Sequence, residues 1–67
     1  MSKVEDVAGK LCLVSYKIAR VFEDIDETIE YLKNTDKELY RELNSKHGYE
    51  IFEKYRKMIS SRVIKLE

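Results

Sequence analysis

Apolar residues recur at alternating spacings of three and four through the first half of the chain. The row runs Val4, Val7, Leu11, Val14, Ile18, Val21, Ile25 and Leu32, with Thr28 as its polar member. Ala8, Phe22 and Ile29 form an adjoining row, interrupted by Ser15. A stripe this wide suits the buried face of a bundle helix better than a two-stranded seam. Ser2-Lys3-Val4-Glu5 has the form of a capping box, with Ser2 accepting from the amide three residues on and Glu5 reaching back. The pattern predicts one helix over 3–33, about 46 Å long at about 1.5 Å per residue. Gly9 costs about 1 kcal/mol relative to Ala inside a helix, but it lies too near the start to shorten this one.

Asn34-Thr35-Asp36-Lys37-Glu38 interrupts the pattern. Thr35 and Glu38 make a second capping box, and Asp36 falls in the electropositive first turn. A short helix over 35–46 then shows Leu39, Tyr40 and Leu43 on one face. Gly48 follows it as a left-handed cap. A third helix over 49–66 places Ile51, Phe52, Tyr55, Met58, Ile59, Val63 and Leu66 together, with Arg62 at the edge of the stripe, its stem packed and its head in water. The expected fold is all-α, a single helical domain over 1–67.

Size sharpens that expectation. A compact chain of 67 residues has a diameter of about 28 Å, from a radius of gyration near 11 Å. A helix over 3–33 does not fit inside it. Either the helix breaks or the molecule is elongated, and the favoured reading is an elongated hairpin or bundle, completed by oligomerisation or by a partner. A core below about 70–80 residues rarely supplies more than about 3–5 kcal/mol unaided. One Cys and one His provide neither an internal disulfide nor a closed zinc site.

Charged residues make up 39% of the chain and apolar residues 43%, so a core is affordable and disorder is not expected. Thirteen bases balance thirteen acids, which removes any bulk attraction to nucleic acid or an anionic membrane. No apolar run is long enough to span a bilayer. Met1 to Asp6 carries two acids ahead of any apolar stretch, unlike a signal peptide, and the expected address is the cytoplasm. Absent Gln, scarce Asn and frequent Lys, Glu, Arg, Ile and Tyr resemble a thermophile's usage.

Charge is nevertheless segregated. Glu23, Asp24, Asp26, Glu27 and Glu30 lie together with no base among them, and Lys54, Arg56, Lys57, Arg62 and Lys65 with no acid. The two groups read first as solvated faces that complement each other. The basic group, interleaved with aromatics, also offers a possible nucleic-acid contact, although pI 6.6 and the missing recognition motif count against it. The acids lack a calcium-loop pattern, and no Glu-x-x-His motif supports a di-iron bundle. Neither a metal nor a cofactor is expected.

Arg41-Glu42-Leu43-Asn44-Ser45-Lys46-His47-Gly48-Tyr49 is similar to the Arg…His-x-Tyr signature of HEPN-type ribonucleases. That resemblance implies RNA cleavage by Arg41 and His47 of paired subunits, with Tyr49 beside them. The residues alone read as a helix-end His next to a Gly. Cys12 has no second Cys or neighbouring His to make it a nucleophile, and it reads as a small buried hydrophobe.

Leu13 and Tyr16 point away from the main stripe, so the turn around Cys12 is apolar on two sides. Coverage on both sides implies more than one packing partner. The function expected is a non-catalytic protein–protein interaction module or accessory subunit, not an enzyme. Its interface residues are Leu11, Val14, Ile18, Val21, Phe22, Ile25, Ile29 and Leu32 on the main stripe, with Leu13 and Tyr16 opposite. The expected partner is a second copy or a larger protein; nucleic acid is the alternative, and a HEPN-like ribonuclease fragment a more remote one.

Overall fold

The computed structural model describes residues 3–66, with side chains described as far as Ser61. Four helices follow in order: α1 Lys3–Ile18, α2 Ile25–Thr35, α3 Lys37–Leu43 and α4 Gly48–Leu66. The all-helical expectation holds. The single long helix does not: it is α1 and α2, separated by a linker over 19–24.

The break begins with a Schellman motif. The Arg20 amide donates to the Ser15 carbonyl at 3.1 Å and the Ala19 amide to the Tyr16 carbonyl at 3.2 Å, satisfying carbonyls that a helix end would orphan. Ala19 takes the left-handed position, φ 54°, which costs an L-residue about 1–2 kcal/mol. Asp24 then caps α2, its carboxylate accepting from the Glu27 amide at 2.8 Å. Glu27 accepts in turn from the Glu23 amide at 3.1 Å and pairs with Arg20. The acid run is thus partly capping chemistry.

Phe22, expected on a helix, sits in this linker and is fully buried. Helix α4 fixes it from both sides of its peptide backbone. The Phe22 amide donates to the Tyr55 hydroxyl at 2.9 Å, and the Arg56 guanidinium donates to the Phe22 carbonyl at 2.7 Å. Ser15, the polar gap in the second apolar row, lies 2.8 Å from the same Tyr55 hydroxyl. Thr28 is also buried, and its hydroxyl donates to the Asp24 carbonyl at 2.9 Å. Both polar interruptions of the stripe are therefore satisfied core positions.

With the chain broken at the linker, α2 folds back and the molecule is compact, not elongated. Its radius of gyration is 11.0 Å and its longest dimension 33 Å, well short of the length that an unbroken helix requires. Helix α1 packs mainly on α4, and α2 on α3. The core gathers Val7, Ala8, Leu11, Phe22, Leu32, Leu39, Leu43, Ile51, Tyr55 and Ile59. Cys12 is buried in it as expected, its thiol 4.0 Å from the Tyr55 carbonyl.

Two caps differ from expectation. Asp36, not Thr35, caps α3: its carboxylate accepts from the Leu39 amide at 3.1 Å. Its own amide donates to Leu32 of α2 at 2.9 Å, so one residue closes one helix and opens the next. Thr35 instead bonds back to the Tyr31 carbonyl at 2.7 Å. Gly48 does not adopt positive φ and is not a left-handed cap; it is the first residue of α4. Glycine is required there because a Cβ would lie 2.1 Å from the Leu43 carbonyl oxygen. The Ser2 capping box, and the side chains of Arg62, Val63, Lys65 and Leu66, lie outside the described residues.

Candidate interaction surface

Helix α1 meets the core along Val4, Val7, Ala8, Leu11, Cys12 and Ser15. At about 100° per residue, the opposite side presents Asp6, Gly9, Leu13 and Lys17 along one line, flanked by Lys10 and Tyr16. Leu13 is 62% exposed and Tyr16 37%. Single exposed apolar residues are ordinary. Here, however, Leu13, half-buried Val14 and Tyr16 adjoin and line one shallow depression with Lys17. A second depression borders Leu13 on the other side, walled by Glu5, Gly9, Lys10 and Met58. Gly9 leaves this part of the helix bare, since a Cβ there would have only the Met58 methyl within 4.0 Å.

Surrounding charges are partly committed. Glu5 pairs with Lys54 at 3.0 Å, and Lys3 with Glu42 at 3.2 Å. Asp6, Lys10 and Lys17 are exposed. The outer face of α1 thus carries an acid near its start, bases in its middle and at its end, and an apolar centre.

Among the remaining expected interface residues, Leu11, Phe22 and Leu32 are fully buried inside the chain. Val14, Ile18, Ile25 and Ile29 are partly buried and pack against the core. Val21 is 37% exposed in the linker. The broad stripe thus serves mainly to close the chain on itself, and Leu13 and Tyr16 remain outside. What sequence reasoning missed is Gly9: treated there only as a helix-weakening residue, it is the floor of the depression beside Leu13.

Of the basic side chains described on α4, two of three are engaged within the chain. Lys54 pairs with Glu5, Arg56 holds the Phe22 carbonyl, and Lys57 is exposed. Tyr49 is exposed on the same helix, with Glu53 between it and the bases. Arg41 lines one depression and His47 another, and Lys3 and Glu42 border both. The His47 Nδ1 lies 3.1 Å from a Glu50 carboxylate oxygen. Among the described residues, no group of three or more His, Cys, Asp and Glu is placed to hold a metal ion. None of their helices is long and apolar enough to cross a membrane. Comparison with known proteins gives no match to a family model, a curated protein or a solved structure.

Proposed function

We propose that the protein is a non-catalytic interaction module that docks another polypeptide on the outer face of α1. The carrying observation is the adjoining exposure of Leu13 and Tyr16, 62% and 37%, on a helix whose other side already closes the core. In so small a domain an exposed Leu next to an exposed Tyr has a solvation cost that docking removes, at about 25 cal/mol per Å² of apolar surface covered. Tyr is also a residue type enriched where partners meet.

Native mass spectrometry of the chain drawn gently from its source cells tests the proposal, with Leu13→Arg as comparison. An assembly larger than 8.0 kDa that Leu13→Arg reduces to the single chain is the expected result. A single-chain mass for both proteins, with the purified chain also remaining single up to about 1 mM, overturns the reading.

A further inference from the structure

Resting on the interaction reading above, we infer that the occupant of the α1 face is a second copy of this chain, bound through the same face with the two α1 helices antiparallel. Two independent features of the face agree on one two-fold axis. The first is shape. Leu13 projects from the surface, being 62% exposed, while Gly9, four residues earlier, leaves a depression beside it. An antiparallel copy sets each Leu13 over the other's Gly9 when the axis passes beside residue 11, midway between them. Glycine at such a crossing lets the backbones approach closely.

The second feature is charge. Asp6 and Lys17 lie on the same exposed line, and their midpoint falls between residues 11 and 12. The two midpoints differ by half a residue, about 0.75 Å at a rise of about 1.5 Å. One axis therefore seats both knobs in both depressions and faces each Asp6 with the other copy's Lys17. The acid-to-base polarity of the face makes it complementary to itself only when antiparallel; a parallel pair in register sets like charges opposite. Tyr16 flanks each Leu13 and comes to rest near the other copy's Glu5, which Lys54 holds at 3.0 Å. Such an isologous contact closes on itself and stops at two copies.

The same axis brings the two Lys10 side chains to one edge of the contact, a like-charge approach that keeps the pairing weak. The face is also small compared with the roughly 1,200–2,000 Å² that stable complexes bury. The dimer is accordingly a transient one, with a dissociation constant on the order of 0.1 mM.

Sedimentation equilibrium of the intact chain, from about 10 µM to 1 mM, spans that constant. The unaltered protein should pass from one to two 8.0-kDa chains. Each single reversal, Asp6→Lys or Lys17→Asp, places like charges at both symmetry-related pairs and should weaken association about tenfold, while the double variant should recover most of the loss. Gly9→Ala should raise the melting temperature, because Ala is the better helix former, yet weaken association severalfold by filling the depression. Lys10→Ala should tighten it. A single-chain mass at every concentration overturns the self-pairing. Failure of the double reversal to recover overturns the antiparallel register. A mixed assembly in the native mass spectrum, lost with Leu13→Arg while the purified chain stays single, overturns self-pairing but leaves the interaction reading intact.

Discussion

Tyr55→Phe isolates the hydrogen-bonded junction that holds the broken stripe together. The substitution keeps the ring and its contacts with Phe22 and Phe52, at centroid distances of 6.4 and 5.6 Å. It removes only the hydroxyl, which takes the Phe22 amide at 2.9 Å and meets Ser15 at 2.8 Å. Ser15 has an alternative acceptor, the carbonyl one turn back in its own helix. The Phe22 amide has none, because its residue lies in a linker under a fully buried side chain. Stranding a buried donor costs about 1–3 kcal/mol, more than the roughly 1 kcal/mol net of a typical hydrogen bond, and this buried donor lies at the upper end of that range. The expected loss is therefore about 2–3 kcal/mol, from a total that for a domain this small is about 3–10 kcal/mol.

Urea unfolding followed by helical circular dichroism, at low micromolar concentration so that the proposed pairing would not contribute, reads this directly. With a slope near 1 kcal/mol/M the midpoint should fall by about 2 M, and the melting temperature by about 10–20 °C. Tyr49→Phe, at a position 75% exposed, is the matched control and should change stability by less than about 0.5 kcal/mol. Adding Ser15→Ala to Tyr55→Phe should cost less than Ser15→Ala alone, since the shared partner is already gone. A Tyr55→Phe midpoint within about 0.5 M of the unaltered protein would refute the view that this hydroxyl secures the linker.

Three further substitutions test the local geometry by the same unfolding assay. Ala19→Gly relieves the left-handed residue at φ 54° and should stabilise by up to about 1 kcal/mol, the gain being reduced by glycine's greater freedom in the unfolded chain. Gly48→Ala must displace the Leu43 carbonyl oxygen, 2.1 Å from the new Cβ, and should destabilise by more than about 2 kcal/mol, well beyond the cost of an ordinary surface change. Asp36→Ala removes the side-chain cap of α3 and should cost about 1 kcal/mol; an unchanged midpoint would mean that water caps that helix equally well.

The helical class, the second half of the chain and most of the core were legible in the sequence. Leu39, Leu43, Ile51, Phe52, Tyr55 and Ile59 lie on the faces that spacing assigned to them, and all are buried. The break at Ala19 was not, because its periodicity is continuous: Val21 and Phe22 fall where an unbroken helix would place apolar residues. Charge carried the missed signal. Lys17 and Arg20 precede Glu23, Asp24, Asp26 and Glu27, bases at the end of one helix followed by acids at the start of the next. Asp24 with Glu27 three residues on was itself a capping pattern, masked by being read as part of an acidic patch. The helix length left both a break and elongation open, with elongation favoured; the chain's longest dimension is 33 Å, and the helix breaks.

Part of the proposed interaction surface was legible as well. Leu13 and Tyr16 stood out because they lie off the main stripe, and both are exposed. Leu11, Phe22 and Leu32, grouped with them as interface, are core instead. Gly9 escaped notice because its value lies in absent volume beside Leu13, which appears only when the exposed face of α1 is laid out against Met58 of α4.

The most direct test of the α1 face is isotope-filtered nuclear Overhauser spectroscopy on a near-millimolar mixture of labelled and unlabelled chains. The account predicts intermolecular contacts from the Leu13 methyls to the Gly9 α-protons, accompanied by contacts from Tyr16 ring protons to the other copy's Glu5 region. Intermolecular contacts confined to another surface, or none at a concentration where two-chain species are present, would contradict it.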